Sequence, residues 1–211
     1  MGHSHQRQTP SATPSRAHAP AVDADDQDLL GNAALLDRLN AGGVEGSADV
    51  DDAEAATDNR AKLTVTTTNT TWNAKGSLSD IADEVDRRKA GAHVTWTPSY
   101  SVKKDHEKYV TSVDIKVPIT KEMPVWVDRG TASAADQKKW DTFEAALELH
   151  EQGHIKIARK GFQGVGESML DMPASTGKQT FDNGVIRVQG ESDDYDTKTN
   201  HGATQGAVLT P

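Results

Sequence analysis

The chain has 211 residues, 35% of them apolar and 26% charged, but only 5% aromatic; that supply of rings suits one compact domain of about 130–150 residues carrying tails better than one large core. It contains no cysteine, which excludes a disulfide framework, a thiolate metal site, an iron–sulfur cluster and a cysteine nucleophile. A net charge of −9 argues against nucleic acid as the main partner, and no run reaches the roughly 18 apolar residues of a membrane span.

The charge is unevenly placed. Residues 23–58 carry eleven acids against the single base Arg38, so the remainder of the chain is close to neutral. Residues 1–22 are rich in Pro, Ser, Ala, Thr and His and hold no apolar segment of the signal-peptide kind; they read as disordered. Within the acidic stretch, Leu29, Ala33, Leu36 and Leu39 recur at helical spacing, with Asp25, Asp26 and Asp28 before them and Gly42-Gly43 after, which predicts a short helix near 27–39. Residues 1–60 are therefore read as an acidic tail, 61–205 as the domain, and 206–211 as a second short tail.

In the domain, LTVTTTNTTW is a β-branched run and predicts a strand. Ser77 and Asp80 resemble a capping box opening a short helix with Leu78, Ile81, Ala82 and Val85 on one stripe. AHVTWTPSY and KYVTSVDIKVPI predict two further strands joined by the charged turn KKDHE, and the uneven spacing of Val110, Val113 and Ile115 points to a bulge or two-sided burial. MPVWV extends the sheet, with Pro118 and Pro124 placing it near an edge. A long helix follows: Ser133 and Asp136 start it, and Trp140, Phe143, Leu147, His150, His154 and Ile157 step along one face. Gly161, Gly164 and Gly166 weaken it, and GVIRV (184–188) reads as one more strand before a polar tail. The order predicts an α+β domain, a small, mainly antiparallel sheet packed on the long helix.

That helix carries His150-Glu151-Gln152-Gly153-His154. Two imidazoles four residues apart lie on one face and can reach a single ion, while Glu151, about 100° away around the helix, can hold a water without being a ligand. This is the HExxH pattern of zinc hydrolases, with His150 and His154 as metal ligands and Glu151 as general base. The two histidines share the stripe of Trp140, Phe143 and Leu147, so they point inward, where an imidazole needs a partner. A catalytic zinc takes a third protein ligand and keeps an open position. The candidates, in order, are His201 and Asp196, both in YDTKTNHG, and Glu167, which the chain would bring round by folding back at the glycines. With His201 as ligand, Asp196 would orient an imidazole and Tyr195 would donate to the oxyanion. His93 and His106 flank strands and read as solvent-facing.

The stretch from Leu63 to Gly202 resembles a bacterial family of unknown function whose members are described as predicted secreted zinc-dependent proteases. The resemblance lies in WNAKGSLSDIADEV, in HVTWTPSY, in MPVWV followed by WDTFEAALELHEQGH, and in the terminal Tyr-Asp-x-x-Thr-x-His-Gly of YDTKTNHG. It implies a metallopeptidase-like α+β domain with Zn²⁺ on His150 and His154 and Glu151 as base, and it supports Tyr195, Asp196 and His201 as site residues without deciding which one ligates. In addition, QDLLGNAALLDRL (27–39) is similar to a segment of bacterial proteins associated with extracellular contractile injection systems. That similarity implies a docking or packaging tail, and export of the domain as cargo without a signal peptide.

The expected function is zinc-dependent hydrolysis of peptide bonds, in proteins or in cell-wall peptides. The alternative is a non-enzymatic module: a closed zinc site completed by both Asp196 and His201, or a cargo or docking component of an injection system.

Overall fold

The computed structural model describes residues 59–88 and 91–211. The expected tail and its helix at 27–39 lie outside the described residues. Four strands form one sheet: β1 (Ala61–Ala74), β2 (His93–Trp96), β3 (Ser99–Lys104) and β4 (Val110–Trp126). Three helices accompany it: α1 (Leu78–Arg88), α2 (Ala134–Ser168) and α3 (Gly177–Thr199).

The α+β architecture with a sheet against the long HEQGH helix is as the sequence implies. The sheet is built on β4, which has β1 on one side and both β2 and β3 on the other. β2 and β3 pair with it antiparallel, whereas β1 pairs with it parallel along 14 residues, from Ala61 opposite Val113 to Ala74 opposite Trp126. β4 is thus central as far as Glu122, while Met123–Trp126, the MPVWV end, has only β1 beside it and lies at an edge as its proline suggests. Pro118 is tolerated because its side of the strand faces the gap between β2 and β3, where its carbonyl accepts from the Thr97 N–H at 3.1 Å and no N–H is called for. A register shift between Lys103 and Lys104, which pair with Ser112 and Val110, is the bulge that the irregular spacing signals.

Beyond the bulge, alternate residues Val113, Ile115, Val117 and Ile119 of β4 are fully buried. They pack on Ile155, Ala158, Phe162 and Val165 of α2 and on Phe181 and Val188 of α3. A second apolar cluster joins Trp72, Trp126, Ile81, Trp140, Phe143 and Leu147, with Ala207 and Leu209 of the C-terminal segment packed against it. Both anticipated helix starts are present: the Asp80 N–H donates to Ser77 Oγ at 3.3 Å, and the Asp136 N–H to Ser133 Oγ at 3.1 Å.

Two expectations past residue 160 are corrected. α2 does not weaken at its glycines but runs through Ser168, and GVIRV is not a strand but the middle of α3. The glycines allow the two helices to approach. A Cβ on Gly153 would fall on the Tyr195 ring, one on Gly161 on Val188, and one on Gly184 on Val165, each at less than 3 Å. The three pairs keep one antiparallel register, so α3 lies along α2 and delivers its C-terminal turns to the HEQGH segment.

Candidate metal centre

Mid-helix burial on α2 places His150 and Glu151 at 3% exposure and His154 at 7%. One turn apart, the imidazoles bring their Nε2 atoms to 3.2 Å, and Asp196 Oδ1, from the last turns of α3, lies 3.1 Å from both. These three residues are the group among the described residues whose donor atoms converge closely enough to hold a metal ion.

The protonation pattern favours an ion there. His150 Nδ1 faces Gln205 Oε1 at 3.0 Å, an acceptor, so this nitrogen carries the hydrogen. With Nδ1 as the donor, Nε2 faces His154 Nε2 and a carboxylate oxygen, an arrangement of donor atoms that could hold a metal ion. A tetrahedral ion with bonds of about 2.0–2.1 Å has ligand–ligand edges of about 3.3 Å, close to the 3.1–3.2 Å observed. Burial lowers the pKa of His154, His150 adding to the effect and Asp196 opposing it, which favours the neutral, ligating form. Burial likewise pushes the Glu151 carboxyl up to about 7, with the charges of Asp196 and Glu148 adding and Lys121 opposing.

The surroundings fix both rings. Ser192 Oγ meets His154 Nδ1 at 2.7 Å and Gln205 holds His150, so each Nε2 is aimed at the shared point. Tyr195 stacks on His150 with centroids 5.1 Å apart and planes 11° from parallel. Its hydroxyl lies over Gly153 and accepts from Gln205 Nε2 at 3.0 Å. Asn200, His201 and Gly202 all have positive φ, reversing the chain so that Gln205 returns onto the site. Gly202 has a second constraint there, since a Cβ would stand 3.0 Å from His150 Cγ. On the far side of Glu151, buried Lys121 of β4 pairs with Glu148 at 2.5 Å, which also accepts from Gln152 at 2.8 Å.

The expected residues fall out as follows. His150, His154, Glu151 and Asp196 line one cavity of about 170 Å³. His201 stands at its rim, its side chain 65% exposed and its Nδ1 3.6 Å from Asp196 Oδ1. Tyr195 forms a wall behind His150 instead of lining the cavity. Glu167 is not brought to the site: α2 continues straight past the glycines, leaving it 13 residues and about 20 Å beyond His154, where it accepts from Gln163. The carboxylate that returns on a second helix is Asp196. His93, exposed as expected, nevertheless borders the cavity from β2. Thr199, the threonine of the YDTKTNHG cluster, has its Oγ1 3.4 Å from His150 Nδ1. Sequence reading missed Ser192 and Gln205; the spacing Phe181, Val185, Val188, Ser192, Tyr195, Thr199 marks one helical face and is the available signal for Ser192.

No helix among the described residues is long and apolar enough to cross a membrane. A family model described as "Bacterial protein of unknown function (DUF922)" matches residues 67–202, from within β1 to the turn after α3. No curated protein and no solved structure matches the chain.

Proposed function

Since the chain belongs to this DUF922 family of bacterial proteins, whose function is unknown, the site itself has to supply the reading, and we propose that it is a zinc-dependent peptidase. The carrying observation is the convergence of His150 Nε2, His154 Nε2 and Asp196 Oδ1 at 3.1–3.2 Å beside the buried carboxyl of Glu151, in a cavity with room for further ligands. Two imidazoles and one carboxylate suit Zn²⁺. When bound, the ion supplies Lewis acidity that acidifies a water and polarises a carbonyl.

The chain's own groups do the rest. Glu151 takes a proton from the attacking water and returns it to the leaving amine nitrogen, so that one C–N bond is exchanged for C–O and N–H bonds. Ser192 and Gln205 orient the two imidazoles, and Tyr195 fixes the plane of His150. Lys121 is paired with Glu148, whose charge outweighs it at Glu151, so the pair helps to hold the Glu151 carboxyl up. The oxyanion role for Tyr195 receives no support from its hydroxyl, which is engaged by Gln205 over Gly153. A closed structural site fits less well, because His201 is largely exposed and stands outside the converging triad.

Glu151→Gln tests the reading. It is expected to retain one metal per chain and to lose about 10²–10⁴-fold in peptide hydrolysis; full activity in this variant would overturn the proposal.

A further inference from the structure

A second hollow, of about 280 Å³, adjoins the metal cavity, and Gly91, Leu147 and His201 line both. Its floor is Phe143 and Leu147 of α2, and its walls are Val85 of α1 with Ala207 and Leu209 of the C-terminal segment. Gly91 stands at the partition, where a Cβ would reach Phe143, Leu147 and Val85 at 3.1–3.4 Å and narrow the passage. Among the described residues the hollow is lined by no lysine or arginine, and its polar lining is Asp86, Asn200 and His201. Val208, on its border, is 56% exposed although apolar.

We infer that this groove is a specificity subsite that receives an apolar side chain of the peptide substrate, next to the bond to be cut. The inference rests on the peptidase reading. Continuity identifies the occupant: in a peptide with its carbonyl at the donor triad, the two Cα atoms flanking that bond are only about 3.8 Å apart, and the adjoining surface is this groove. An aliphatic side chain there covers Val85, Val208 and Leu209 from water, whereas an acidic one loses its hydration beside the like charge of Asp86. Peptides with a medium-sized apolar residue beside the scissile bond are the substrate class.

The test compares N-acetyl-leucine hydroxamate with N-acetyl-glycine hydroxamate, binding to the zinc-loaded full chain by calorimetry. The leucine compound is expected to bind about ten- to a hundredfold more tightly, as burial of one aliphatic side chain implies. In Val208→Asp, and separately in the near-isosteric Val85→Thr, that ratio is expected to fall while affinity for the glycine compound is unchanged. Equal affinities in the wild type, or a ratio unmoved by both substitutions, would overturn the subsite alone. Binding of neither compound would overturn the metal reading and the subsite with it.

Discussion

Gly153→Ala separates what a helix gains from what this site loses. In an exposed helix the change stabilises by about 1 kcal/mol through backbone entropy. Here the added Cβ falls on the ring and hydroxyl of Tyr195. Tyr195 is not free to swing aside, being stacked on His150 and bonded to Gln205. Overpacking of this kind costs about 1–3 kcal/mol, so the substitution is expected to leave the wild type unchanged or destabilised by up to about 2 kcal/mol. In a Tyr195→Ala background the obstacle is gone, and the same substitution is expected to stabilise by about 1 kcal/mol. Urea unfolding of the four proteins gives the coupling energy, expected at about 1–3 kcal/mol. Chelator competition on the same proteins is expected to show weaker metal binding in Gly153→Ala, because the stack on His150 is disturbed. A gain of about 1 kcal/mol in both backgrounds would refute the close approach of α3 to α2 at this point.

Asp196→Ala is expected to lose the metal and His201→Ala to keep it, as read by metal analysis of the dialysed proteins; the reverse result would make His201 the third ligand. Gln205→Leu is expected to weaken metal affinity by about 10–100-fold, with Gln205→Glu, which keeps an acceptor facing His150 Nδ1, restoring most of it; equal losses in both would remove the orienting role. The side-chain and backbone hydrogen bonds of Ser77 hold the Asp80 carboxyl below its ordinary 3.8. Its capping contribution is therefore full above that value and fades as pH falls through the lower folded pKa. Wild type is expected to exceed Asp80→Ala in stability at pH 6, and the gap to close in acid; a gap independent of pH would refute the charged cap.

Much of the architecture is legible because it rests on periodic patterns. Val113, Ile115, Val117 and Ile119 alternate, and Trp140 through Ile157 keep a helical step, so the sheet and the HEQGH helix follow directly. GVIRV fails for the same reason in reverse. Over five residues a β-branched run satisfies a strand and a helix alike, and what decides is that Val188 fits against Gly161. Ile186, which a strand reading would have paired with Val188 on one face, is 71% exposed. The parallel pairing of β1 is long-range, and nothing local in TVTTTNTT encodes it. At the site, His150, Glu151 and His154 are spelled out within one helical turn, and Asp196 is among the stated candidates. The preference for His201 over Asp196 came from treating YDTKTNHG as a polar tail. As the last helical turns it puts Asp196 on the inward face with Ser192 and Thr199, while His201 falls past the C-cap Asn200 and points outward. Ser192 and Gln205 are ordinary polar residues in sequence, and only the packing of α3 and the reversal after it make them partners of the two imidazoles.

The order of the elements along the chain also sets an order of assembly. The sheet and α2 are complete by Ser168, while Asp196, Ser192 and Gln205 all lie beyond it. During synthesis, when segments emerge N-terminal first, the histidine pair is therefore made well before the groups that aim and complete it. A nascent chain carries the imidazoles without the third donor, and the centre becomes whole only when α3 has docked and the closing turn has folded back. The three donors are thus not together until the rest of the domain exists.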